Sequence, residues 1–152
     1  MKLAEALIER ADLKKRLAQL NNRLCSNVMV NEGSEPVEDP ARLLESLNIM
    51  TARYEELVWR INLTNAVAKT DSGEELAKLI ARRNARIDKA KAIQDMIDAT
   101  VKGSRDYYRS DCIPKTVIVD VRSLRREHDQ LSKEVREIDT AIQCANWRTD
   151  LI

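Results

Sequence analysis

The sequence predicts an all-α fold: an elongated four-helix antiparallel bundle or coiled coil, with room for a short two-stranded β-ribbon at one end. Three observations predict it. Apolar residues recur at alternating spacings of three and four along most of the chain, the pattern of packed helices. Helix breakers are scarce, with three Gly and three Pro in 152 residues. Charged residues make up 34% and aromatics 3%, with no Phe, which suits long helices around an aliphatic core. That length fits one helical domain over residues 1–152.

The first helix is predicted over residues 2–25. Leu3, Ala6, Arg10, Leu13, Leu17, Leu20 and Leu24 form its seam, and Leu7, Ile8, Ala11 and Ala18 widen the apolar face. The texture changes over residues 26–39. Val28, Met29 and Val30 are β-prone, and Asn31-Glu32-Gly33-Ser34-Glu35-Pro36 is turn chemistry. The second helix, residues 40–69, has clear start signals in Asp39 as N-cap and Pro40 at the first helical position. Its seam reads Leu43, Leu47, Met50, Tyr54, Leu57, Ile61, Thr64 and Ala68, flanked by Leu44, Val58 and Trp59.

Ser72-Gly73-Glu74-Glu75 has the form of a capping box and predicts a third helix over residues 73–101. Its stripe is the weakest: Leu76, Ile80, Arg83, Ile87, Ala90, Gln94, Ile97 and Val101, closed by Lys102-Gly103-Ser104. An irregular connection over residues 102–120 contains Tyr107, Tyr108 and Pro114. Asp120 is placed as N-cap of a fourth helix over residues 121–147, whose seam is Leu124, His128, Leu131, Val135, Ile138, Ile142 and Ala145. Val28 to Val30 and Thr116 to Val119 are the strand candidates for the ribbon. The short link around Thr70 to Gly73 predicts an antiparallel hairpin of helices two and three. Apolar faces wider than one partner can cover predict a homo-oligomer.

The formal net charge of +1 creates no global field toward nucleic acid or membrane. Glu5 and Glu9 interrupt any secretory signal, and no run approaches the ~20 apolar residues of a membrane span. Cys25, Cys112 and Cys144 are scattered and odd in number, which fits free thiols in a reducing, cytoplasmic setting.

Chemistry is sparse. One His excludes the paired Glu-x-x-His motifs of a di-iron bundle, and scattered Cys give no zinc spacing. No glycine-rich phosphate loop or nucleophile elbow is present. No catalytic residue, cofactor or metal site is expected. The candidate residues are instead the polar ones that interrupt the seams: Arg10, Arg83, Gln94 and His128, with Asn62, Thr64 and Asn65 clustered on helix two. A buried polar group fixes register and partner when it is paired. The same residues could line an inter-helix pocket where Arg grips an anion, and His128 could switch with pH.

Glu32 to Glu56 holds seven acidic and two basic residues, and Lys78 to Lys91 holds six basic and one acidic. This asymmetry predicts acidic-to-basic pairing between helices or protomers. With no interleaved aromatic and no binding motif, nucleic acid is not expected as a partner.

Five segments carry a family resemblance: Met1 to Leu13, Glu38-Asp39-Pro40, Arg60-Ile61-Asn62-Leu63-Thr64-Asn65, Ala81-Arg82-Arg83-Asn84, and Ala145-Asn146-Trp147-Arg148-Thr149-Asp150-Leu151. In that order they resemble a family of small bacterial helical proteins labelled septicolysin-like. The resemblance covers nearly the whole chain. It implies a helical protein with no established catalytic residues or cofactor, and its label implies a membrane-active cytolysin. The residues themselves favour a non-enzymatic protein acting through self-association and protein–protein contact.

Overall fold

A computed structural model describes the backbone of residues 1–105 and 116–152 and the side chains of residues 1–101 and 116–152. The chain forms four α-helices: α1 (Leu3–Asn27), α2 (Pro40–Val67), α3 (Leu76–Arg105) and α4 (Val121–Arg148). The all-α reading holds. The β-ribbon does not: residues 28–30 and 116–119 are irregular and exposed, and no strand occurs among the described residues. β-branched residues alone do not make a ribbon without a face to pack against. Tyr107, Tyr108, Cys112 and Pro114 lie outside the described residues.

Two compact units are present. One comprises Met1–Lys69 with Cys144–Ile152, and the other Thr70–Gln143. The α4 helix contributes to both.

In the first unit, α1 and α2 run antiparallel, as the ion pairs Glu9–Arg53 and Arg23–Glu38 require. Every seam residue expected on α2 is buried or half-buried, from Leu43 to Ala68. The same is true of α1, where the seam extends one step further to Asn27. Asn27 is a buried polar residue with both ends of its amide used. Its Nδ2 donates to the Arg23 carbonyl (2.9 Å) and its Oδ1 accepts from the Glu38 N–H (3.0 Å). It therefore ties the loop back onto the helix end. Gly33 supplies the left-handed turn within that loop, at φ +83°. Asp39 caps α2 as expected, its Oδ1 accepting from the Ala41 N–H at 2.9 Å.

In the second unit, the expected Ser72 cap is not formed. Gly73 has φ +79°, a left-handed conformation that cannot belong to a helix, so α3 starts only at Leu76. The Ser72 hydroxyl instead meets Thr70 Oγ1 at 2.9 Å, inside a turn closed by the Thr70 N–H donating to the Glu74 carbonyl at 2.8 Å. At its other end α3 runs through Gly103 to Arg105. Glycine lowers helix stability by about 1 kcal/mol but does not forbid the helix. Asp120 caps α4, accepting from the Arg122 and Ser123 N–H groups at 3.0 and 3.2 Å.

The α3 seam differs from the expected one at alternate positions. Leu76, Ile80, Arg83, Ala90 and Ile97 are buried or half-buried as read, with Leu79 buried beside Ile80, but further along the companions are Arg86, Ile93 and Thr100. Ile87 is 43% exposed, and Gln94 and Val101 are exposed too. The inward positions still alternate three and four. The physical reason for the slip is charge: Arg86 occupies an inward position and Ile87 an outward one, so apolarity points the wrong way.

The α3 and α4 helices run antiparallel. Arg83 pairs with Asp139 (3.1 Å), Arg86 with Glu134 (3.0 Å) and Lys89 with Glu127 (2.7 Å), rising on one helix and falling on the other. Beyond this ladder Ile93, Ile97 and Leu131 form an apolar cluster, flanked by Ala90, Val121 and Leu124, and Leu76, Leu79 and Ile142 are buried in the same unit. Arg83, Arg86 and Lys89 of the basic stretch thus find their acids on α4, while Arg82 pairs with Glu74 just before α3. The acids around the start of α2 pair within the first unit, Glu38 with Arg23.

Candidate functional site

The first unit closes through a clasp between the two ends of the sequence. The Leu3 N–H donates to the Thr149 carbonyl and the Leu151 N–H to the Met1 carbonyl, each at 2.9 Å, forming an isolated antiparallel bridge centred on Lys2 and Asp150. Lys2 Nζ reaches Asp150 Oδ1 at 2.9 Å and donates to the Arg148 carbonyl at 3.0 Å. The Lys2 N–H donates to Glu5 Oε2 at 2.7 Å, so the first turn of α1 is capped from within. The hydrogen bond from Lys2 holds the Asp150 carboxyl below its usual range, helped by its positive charge and that of the N-terminus.

Thr64 completes the clasp. It is fully buried, its hydroxyl donates to the Arg60 carbonyl at 2.8 Å, and it accepts the Ile152 N–H at 3.1 Å. Arg60 Nε donates to the Ile152 carbonyl at 2.6 Å. A single threonine side chain therefore satisfies both α2 and the end segment. Leu3 and Ile61 are buried in the same unit.

The expected candidates divide between the units. Arg10, Asn62, Thr64 and Asn65 belong to the first, and Arg83, Gln94 and His128 to the second. Arg10 is half-buried on the α1 seam, Asn62 is exposed and Asn65 half-buried. Arg83 is held by Asp139 and by Asn84 Oδ1, which accepts from its Nε at 3.2 Å and its Nη2 at 3.1 Å. Gln94 lies on the solvent side and donates to Asp98 Oδ1 at 2.8 Å. His128 is half-buried, with Nδ1 3.8 Å from Asp129 Oδ1, beyond hydrogen-bond length.

Periodicity does not mark Lys2, Arg60 or Asp150. Their partners are separated by up to the full length of the chain, so no local spacing marks them. Three of the five segments that carry the family resemblance nevertheless contain them: residues 1–13, 60–65 and 145–151.

An open groove between α1 and α2 is lined by Glu9, Asp12, Leu13, Arg16, Ser46, Ile49, Met50 and Arg53. Its charges close on one another, Glu9 with Arg53 and Asp12 with Arg16 (2.8 Å). Among the described residues no group of His, Cys, Asp or Glu is arranged to hold a metal ion. No described helix is long and apolar enough to cross a membrane.

No curated protein matches the sequence. A crystal structure of a functionally unknown conserved protein from Corynebacterium diphtheriae is similar, with 36% sequence identity and a TM-score of 0.90, covering 100% of this chain and 99% of that one. Residues 10–151 match the model of a family of unknown function, DUF6847, and the chain belongs to that family.

Proposed function

We propose that the chain is a non-enzymatic helical protein that acts through self-association and protein–protein contact. One observation carries this reading. The first unit keeps large apolar side chains at its surface, among them Ile8, Leu44, Ile49, Trp59, Val67 and Trp147. Large apolar side chains left in water favour burial against a partner. The polar seam residues fit the same reading, because Arg83 and Thr64 are engaged in pairing that fixes which elements meet. Exposed free Cys25 and Cys144 fit a reducing, cytoplasmic setting.

Analytical ultracentrifugation at micromolar concentration tests the reading, with a dimer or higher mass expected. A monomer would end it. The septicolysin-like resemblance suggests a cytolysin instead, and dye release from liposomes separates the two. Self-association without leakage across pH and lipid composition is the expected result.

A further inference from the structure

The α1–α2 seam uses one face of α2. The opposite face carries a second series with alternating spacings of three and four: Ile49, Ala52, Glu56, Trp59, Leu63 and Ala66. Within it Trp59 is 63% exposed and Leu63 37%, and Val67 beside them is 60% exposed. Single apolar residues on a surface are ordinary. A row of them at heptad spacing, on the back of a helix that already has a buried seam, matches what a second helix requires.

We propose that this back face docks the same face of a second copy, antiparallel about a two-fold axis near Ile61. The proposal rests on the self-association reading and names its surface. Charge and size select the arrangement. A parallel pair sets Glu56 against Glu56, as does an antiparallel pair centred on that residue. Centring near Ile61 sets Trp59 of each copy against Leu63 of the other. Glu56 then faces the small Ala66 of the second copy, three residues before its Lys69, which follows the end of α2. Glu56 and Lys69 are both exposed. The two-fold makes each contact twice, as a closed dimer requires.

The test uses the full chain. Sedimentation of wild type should give a dimer, and Trp59→Lys with Leu63→Lys should raise Kd at least ~30-fold, the scale of an interface hot spot. Circular dichroism should be unchanged. Carbodiimide joins carboxylate to amine without a spacer, and within one chain about 16 Å of helix separates Glu56 from Val67, with Lys69 beyond it. A Glu56–Lys69 cross-link in the dimer band is therefore expected and comes from two copies. A monomeric wild type overturns both the proposal and the self-association reading. A folded double variant that still dimerises overturns this face and leaves self-association standing. A dimer whose Glu56 cross-links to other lysines and not to Lys69 overturns the antiparallel register. If the double variant loses helicity, the wild-type cross-link decides.

Discussion

The α1–α2 pair and the α3–α4 pair are both antiparallel, but they are held together differently. Between α1 and α2 the seam is apolar for most of its length, and the ion pairs Glu9–Arg53 and Arg23–Glu38 stand beside it. Between α3 and α4 the cluster of Ile93, Ile97 and Leu131 stands next to a ladder in which Arg83, Arg86 and Lys89 each reach a carboxylate of α4. Burial of carbon is roughly proportional to area and tolerant of geometry. A half-buried ion pair contributes little net stability yet is costly to break from one side. The first pair should therefore resist perturbation through its core, and the second through its partners.

The largest expected effect is in the first seam. Ile61→Ala should cost about 2–5 kcal/mol, the range for truncating a buried isoleucine. Ile93→Ala should fall at the lower end of that range, because its cluster of three buried residues is flanked by partly exposed Ala90, Val121 and Leu124, which can collapse around a cavity. Urea unfolding of both variants measures the difference, and equal losses would break the contrast.

Glu134→Ala comes next. It removes the partner of Arg86, whose Nε is already buried without a hydrogen-bond partner. About 1–2 kcal/mol is expected, below the fully buried range because both side chains keep about a third of their exposure. Replacing the pair, Arg86→Leu with Glu134→Leu, should restore the urea midpoint to wild type or above it. A double variant as weak as the single one would mean that the ladder stabilises in its own right.

Ile87→Lys should change the midpoint by no more than about 0.5 kcal/mol, since the side chain faces water. A loss like that of Ile93→Ala would put Ile87 back on the seam. The smallest effect concerns the clasp and depends on pH. The Asp150 carboxyl is held below its usual range by Lys2, so its contribution is full above the ordinary carboxylate pKa and fades as pH falls through the lowered value. Asp150→Asn should flatten the acid limb of a melting-temperature profile and leave the alkaline limb unchanged. Glu38, lowered by its hydrogen bond from Arg23, titrates in the same direction and keeps part of the slope.

The same contrast explains what could be read from the sequence. The seams of α1 and α2 were legible from Leu3 to Leu24 and from Leu43 to Ala68 because nearly every inward position there is apolar or small, with Arg10 as an exception that the surrounding leucines carry; the polar Asn27 was not. The register of α3 was half legible. Leu76, Ala90 and Ile97 announced it, but Arg86 and Ile87 present their chemistry against their orientation. The Asp39 and Asp120 caps were visible because a cap is a local event. The Ser72 cap failed for an equally local reason, the left-handed Gly73. The β-prone pieces lacked partners, which composition does not reveal. Thr64 was singled out as a polar residue on a seam, but its role depends on Ile152, at the other end of the chain.

The clasp has a consequence for the order of assembly. Residues 1–3 are synthesised before all of Thr70–Gln143, and residues 149–152, to which they bind, after it. The α1–α2 hairpin must wait through the synthesis of all of Thr70–Gln143 before its last hydrogen bonds can form. The inserted unit is complete while the unit that encloses it in sequence is still open. Synthesis at roughly 5–20 residues per second makes that interval several seconds long. For that time Leu3, whose N–H is destined for Thr149, and Thr64, whose hydroxyl is destined for Ile152, lack their final partners.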